Sequence, residues 1–157
     1  MMIEIERKFL VVSDAFKKEA YKYTRITQGF LSTDPERTVR VRVKGEQGVL
    51  TIKGKSNKSG TSRFEWEKEL SLEDANALLK ICKKGVIDKI RYEVSCGKHI
   101  YEVDEFFEDN DGLIVAEIEL NSENEVFEKP IWLGKEVTGE VMYYNSQLSV
   151  LPFKEWE

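Results

Sequence analysis

Along most of the chain, hydrophobic and polar positions alternate with a period of two, the pattern of half-buried strands. It predicts eight strands: Met2–Val12, Ile26–Leu31, Arg37–Val43, Val49–Lys53, Thr61–Leu70, Ile87–Ser95, His99–Glu105 and Leu113–Leu120. One segment changes period. Leu72, Ala75, Leu78, Leu79 and Cys82 fall on a helical stripe, predicting a helix over Ser71–Lys83. Ser71 is its candidate N-cap, with Glu73 and Asp74 in the first turn and Gly85 as a stop. The segment Lys135–Val150 predicts one or two short helices. Loops are expected at Ser32–Glu36, Lys44–Gly48, Gly54–Gly60, Phe106–Gly112 and Asn121–Pro130. Many short strands with short connections predict a mainly β fold, an antiparallel β-barrel or sandwich with a few helices packed outside.

Splitting each strand into its two faces changes the picture. Glu4, Glu6 and Lys8 share a face, opposite Ile3, Ile5 and Phe9. Arg40 and Arg42 oppose Val39, Val41 and Val43; Thr51, Lys53 and Lys55 oppose Leu50 and Ile52. Arg63, Glu65 and Glu67 oppose Phe64 and Trp66; Lys89 and Arg91 oppose Ile90 and Tyr92. Glu102 and Asp104 oppose Tyr101 and Val103; Glu117 and Glu119 oppose Ala116, Ile118 and Leu120. One such strand is an ordinary wet sheet face. Seven strands whose charges come in like-signed pairs are not arranged for mutual stability. They suit a site that gathers both signs around a ligand.

The apolar faces carry large residues (Phe9, Phe64, Trp66, Tyr92), and the helix has its own stripe to bury. The expected closure therefore puts apolar faces outward under helices and charged faces inward, around a tunnel wide enough for one small ligand. An apolar outer face left uncovered would favour a homodimer.

Composition narrows the ligand. The 157 residues suit one domain, 1–157. Charged residues make up 34%, well above the usual quarter or so, yet the net charge of −5 argues against nucleic acid as a partner. No run approaches the ~18 apolar residues of a membrane helix, and MMIEIERKFLVV lacks the apolar stretch of a secretory signal. The expectation is a cytoplasmic chain with no membrane partner. Cys82 and Cys96 read as free thiols. With His99 the sole histidine, no standard zinc site can be built. Any metal must be hard and held by carboxylates, such as Mg²⁺ or Mn²⁺. A polyanion with metal would supply the partners that such buried charges need. Arg and Lys suit phosphate oxygens, and the combination suits phosphoryl transfer.

These residues resemble the CYTH family, the triphosphate tunnel metalloenzymes, whose N-terminal motif Glu-x-Glu-x-Lys stands as Glu4-Ile-Glu6-Arg-Lys8. The resemblance continues through GFLSTDPERTVRVRVKG (Gly29–Gly45), LTIKGK (Leu50–Lys55), FEWE (Phe64–Glu67), KIRYEV (Lys89–Val94), YEVDEF (Tyr101–Phe106), VAEIEL (Val115–Leu120) and GKEVTGEVMYYN (Gly134–Asn145). It covers nearly the whole chain in order, and is greatest to compact bacterial members that hydrolyse inorganic tripolyphosphate. It implies an eight-stranded antiparallel tunnel with charges pointing in. By the resemblance, Glu4, Glu6, Glu117 and Glu119 bind metal. Lys8, Arg40, Arg42, Lys53 and Arg91 hold phosphates. Lys8 and Lys89 take catalytic positions, Lys89 holding phosphate or orienting the attacking water. Glu65, Glu67 and Asp104 bind a second metal or brace the basic residues. Phe30 departs from the family, where Tyr is common. The tail near Tyr143–Asn145 is expected to plug one tunnel mouth.

The resemblance implies a metal-dependent triphosphatase, with tripolyphosphate as substrate and nucleoside triphosphates as lesser ones. An adenylyl cyclase, a thiamine triphosphatase and a polyphosphate-binding module without turnover are the alternatives. The carboxylates speak against a pure anion binder, and the charged lumen against a carrier of apolar ligands. His99 is read as a strand or surface residue, Trp66 and Tyr92 as packing, Lys55 and Lys58 as loop residues, and Glu123, Glu125 and Glu128 as a solvated acidic loop.

Overall fold

The strand edges determine how the sheet closes. The computed structural model describes residues 3–156, so the expected strand start at Met2 lies outside them. Among these residues the strands are β1 (Ile3–Val11), β2 (Lys22–Ser32), β3 (Arg37–Lys44), β4 (Gln47–Ser56), β5 (Ser62–Leu70), β6 (Ile87–Cys96), β7 (His99–Phe106), β8 (Ile114–Glu119) and β9 (Leu133–Glu136). They follow the order β5-β4-β3-β2-β6-β7-β8-β1-β9, and β1 pairs back with β5. The first eight strands form a closed antiparallel barrel, with β9 added outside the ring. Closure removes the unpaired edges that an open sheet would expose.

β1 has two partners along one edge. Ile3–Ile5 pair with β5, while Phe9 and Val11 pair with β9. Between them is a seam. It is bridged by Glu6 N–H donating to the Thr61 carbonyl at 3.0 Å and Val137 N–H donating to the Lys8 carbonyl at 2.8 Å.

The helices are short: α1 (Phe16–Glu19), α2 (Leu72–Leu79) and α3 (Asn145–Val150). Ser71 caps α2 as expected, its hydroxyl accepting from the Asp74 N–H at 3.0 Å. The stripe docks on β3 and β4 through Ala75, which is fully buried. Gly48 makes this approach possible, since a Cβ there would lie 2.6 Å from the Ala75 Cβ. α2 ends earlier than expected because the chain tightens into turns, with Ile81 N bonded to the Leu78 carbonyl and Cys82 N to that of Leu79.

The apolar faces point outward, as expected. Phe9, Val94, Tyr101, Val103, Ala116 and Ile118 form a buried cluster outside the barrel wall, covered by Phe16 and Trp132. Tyr92 packs edge-on against Phe16 at 5.3 Å between ring centroids. Phe64 stays 44% exposed and Ile3, its partner across the strand pair, 50%, so the helices cover only part of the outer sheet.

The interior is not charged throughout. Phe30, Ile87, Phe106 and Val115 occupy the same faces as the charged residues of their strands, and Leu148 of α3 packs onto them. One end of the barrel is thus closed by an apolar plug.

The acidic loop is exposed at Glu123 and Glu128 as expected, and two of its carboxylates are also tied to neighbouring elements. Glu123 accepts hydrogen bonds from Asn57, Ser59, Thr61 and Ser62, tying the β4–β5 loop to the chain after β8. Glu125 contacts His99 and accepts from the Asn121 N–H. Cys82 and Cys96 are free thiols, and Lys55 and Lys58 are exposed.

Candidate active site

Because side chains alternate along a strand, residues two apart project into the same lumen. The closed barrel turns that alternation into a cavity of about 170 Å³, room for on the order of ten waters or a compact polyanion. Eight basic and seven acidic side chains line it.

The predicted residues are gathered there with one exception. Lys8, Arg40, Arg42, Lys53, Lys89 and Arg91 all line the cavity, as do Glu4, Glu6, Glu65, Glu67, Glu117 and Glu119. Asp104 does not. It is on the inward face with Glu102 but enclosed by its neighbours, 1% exposed, and accepts from Lys89 Nζ at 2.7 Å and from Arg91 Nε and Nη2 at 2.8 and 2.9 Å. A carboxylate so engaged braces the basic residues. It has no oxygen facing the lumen to give to a metal.

The remaining ion pairs divide the lining into sectors. Lys53 Nζ lies 2.9 Å from Glu4 and 3.3 Å from Glu65. Arg42 reaches Glu67 at 2.9 Å, and the Thr51 hydroxyl donates to the same carboxylate at 2.8 Å. Arg40 touches that group only at 3.8 Å. Among the described residues the buried Nε atoms of Arg40 and Arg42 have no partner. Such orphaned donors carry a desolvation cost that an anionic ligand would relieve.

Burial and neighbours set the charge states. Burial raises the Glu4 carboxyl, but Lys53 outweighs it and leaves the group below its ordinary value. Glu6 is pushed well above by burial, with Glu117 and Glu4 adding like charge. Glu117 pays the same burial penalty, yet Lys8, the facing Glu6 carboxyl, Arg91 and Lys89 hold it well below. The same buried surroundings thus drive the Glu6 and Glu117 carboxyls in opposite directions. Burial pushes Glu119 up, with Glu4 and Glu102 close by. Burial brings Lys89 down to about 7 against the pull of Asp104. Burial, then Arg40 and Arg91, lowers Arg42, which as a guanidinium remains charged.

The acids fit a hard divalent cation by donor type. Glu6 and Glu117 face each other in the cavity lining, and each raises the cost of charge on the pair, a repulsion that a cation would relieve. Among the described residues no three acids converge into a preformed cage. Two carboxylates with water and substrate oxygens completing the shell is the usual way Mg²⁺ is held.

Several lining residues were given no role from the sequence. Lys44 and Arg63 extend the faces of Arg40/Arg42 and Glu65/Glu67, so the period of two already pointed to them, as it did to Glu102. Tyr144 and Asn145 arrive from the tail. Asn145 Oδ1 accepts from Lys89 at 3.0 Å and from Gln28 at 2.7 Å, which fixes the tail as a plug. Phe30, the departure from the family pattern, packs against that plug with Leu148 and also lines the cavity.

Residues 2–149 match the CYTH domain. A protein of Acetivibrio thermocellus named inorganic triphosphatase is 46% identical over 98% of this chain and 97% of its own. One of the same name from Nitrosomonas europaea is 31% identical over 95% of this chain and 98% of its own. The solved structure of an inorganic triphosphatase superposes with a TM-score of 0.67 at 28% identity, covering 96% of each chain.

Proposed function

Because the chain belongs to the CYTH family, we propose that it is a divalent-metal-dependent triphosphatase acting on inorganic tripolyphosphate, with lesser turnover of nucleoside triphosphates. The observation that carries this reading is one cavity whose lining holds both Arg40 and Arg42, their Nε atoms unpartnered among the described residues, and the facing carboxyls of Glu6 and Glu117. The names of both bacterial relatives support the substrate.

In this reading Arg40, Arg42, Lys53 and Arg91 bind the phosphate chain, with Lys8 at the plugged end. Glu4, Glu6, Glu117 and Glu119 hold Mg²⁺ or Mn²⁺. Bound there, such an ion offsets negative charge on the phosphate oxygens. Glu65 and Glu67 keep Lys53 and Arg42 aligned. Lys89, fixed by Asp104 and Asn145, orients the attacking water and can take up its proton, since burial leaves part of it neutral near pH 7. Water attacks the terminal phosphorus, the bond to the bridging oxygen breaks, and orthophosphate and pyrophosphate form.

The test is incubation with tripolyphosphate, ATP or thiamine triphosphate, each with Mg²⁺ or Mn²⁺, measuring orthophosphate, pyrophosphate and cyclic AMP. Fastest orthophosphate release from tripolyphosphate is expected. Cyclic AMP with pyrophosphate would move the chain to the cyclases, and no turnover of any substrate would leave a binding module.

A further inference from the structure

The seam in the barrel wall is lined differently from the rest of the tunnel. Where β1 passes from β5 to β9, a second small cavity of about 20 Å³ lies beside the main one. Glu6, Lys8, Arg63 and Tyr144 line both cavities, and Gly60, Thr138 and Gly139 close the small one from outside. The two glycines are in direct contact. A Cβ on Gly60 would lie 2.4 Å from the Gly139 Cα, and both have positive φ, 78° and 80°.

Two cations sit at this opening without a close ion pair: Lys8 acts on Glu117 only from beyond salt-bridge distance and donates to the Tyr143 carbonyl at 3.5 Å. Among the described residues no carboxylate lies within 4.0 Å of Lys8 or Arg63. Arg63 stands opposite Glu4 in the β1–β5 register, but Glu4 is turned to Lys53 instead. The Tyr144 ring stands between the two cations, 5.1 Å from Lys8 Nζ and 5.4 Å from Arg63 Cζ. A shared ring steadies both charges, leaving the Arg63 guanidinium and the remaining Lys8 N–H groups for an anion. Glu6, the acid at this border, faces Glu117.

The topology gives such an opening a task. Phe30, Phe106, Val115 and Leu148 close the barrel end behind Lys89. At the other end the acids are the exposed ones, with 41% of the Glu67 side chain and 39% of that of Glu102 accessible. A chain of phosphates entering there and cleaved at the plugged end leaves its inner product behind the outer one. That inner product must wait for the outer one or leave sideways.

We propose that the seam between β5 and β9 is a side port with an orthophosphate subsite, formed by Arg63 and Lys8 across Tyr144, through which the inner product leaves. Its role as an exit rests on the triphosphatase reading; the anion subsite itself does not. Tyr144 is a positioning residue that swings aside as phosphate passes, because the resting port holds about 20 Å³, only one or two waters.

The test is titration of the metal-free protein with inorganic phosphate by calorimetry, alongside orthophosphate inhibition of tripolyphosphate hydrolysis. Arg63→Met is expected to weaken both about tenfold, the loss of a charge-assisted contact, with KM for tripolyphosphate changed less than about twofold. Arg63→Lys should keep most of the affinity. Tyr144→Phe should bind as the wild type does, and Tyr144→Leu more weakly. Unchanged phosphate affinity in Arg63→Met would overturn the proposal. So would an equal rise in KM, which would make Arg63 an ordinary substrate contact. Phosphate binding through Arg63 without any tripolyphosphate turnover would retain the subsite and sink the hydrolase reading instead.

Discussion

Asp104 and Lys89 form a buried ion pair at 2.7 Å, their side chains 2% and 1% exposed. The same carboxylate grips Arg91 with two hydrogen bonds. Two cations on β6 thus share one anion on the neighbouring β7, in surroundings nearly closed to solvent. Breaking a buried pair costs more than the pair contributes, because the abandoned charge stays buried. Asp104→Asn is therefore expected to destabilise the fold by about 3–5 kcal/mol. Urea unfolding measures this, and a loss under about 1 kcal/mol would mean that Lys89 and Arg91 find other partners.

Glu65 makes stability depend on pH. Burial, then the Glu4 charge, raises its carboxyl from 4.5 to about 7 in the folded chain. The folded state then holds a proton that the unfolded state has released. Its contribution is full below pH 4.5 and is lost as pH rises to about 7. In EDTA, the Tm should fall across that window, and Glu65→Gln should flatten the fall. A slope unaltered by Glu65→Gln would place the proton elsewhere.

Glu123 anchors the β4–β5 loop with four side-chain donors. Glu123→Ala should speed amide exchange at Thr61 and Ser62 and lower the Tm slightly, with exchange in β6 and β7 unaffected. Equal protection in both proteins would show that the loop holds its shape by its own turns.

How much of this was legible in the sequence depended on where the signal lay. The alternation of Glu4, Glu6 and Lys8 against Ile3, Ile5 and Phe9 sufficed to orient β1, because a strand has only two faces. The alternation alone starts β2 at Ile26, since Lys22-Tyr-Thr-Arg25 has no apolar face. Its pairing comes from β6, Lys22 opposite Glu93 and Tyr23 opposite Tyr92. β9 is four residues, two of them Gly134 and Lys135, and becomes a strand only by joining the edge of β1. Asp104 shares its strand face with Glu102, yet does not line the cavity, because Arg91 and Lys89 enclose it. Tyr144 gave only a broad signal, the expectation of a tail plug. Its place between Lys8 and Arg63 is set by the chain returning to the seam.

The central claim is that the charged lumen cleaves a triphosphate on Arg40 and the Glu6–Glu117 pair. It is tested most directly by following tripolyphosphate by ³¹P NMR with Mg²⁺ or Mn²⁺, for the wild type, Glu6→Ala and Arg40→Ala. The wild type should give orthophosphate and pyrophosphate in equal amounts, with EDTA stopping the reaction. Each variant should fold as the wild type does and lose on the order of 10²-fold in rate or more, the scale of removing one preorganised electrostatic contact. Near-normal rates in both folded variants would contradict the account and place the chemistry outside the barrel.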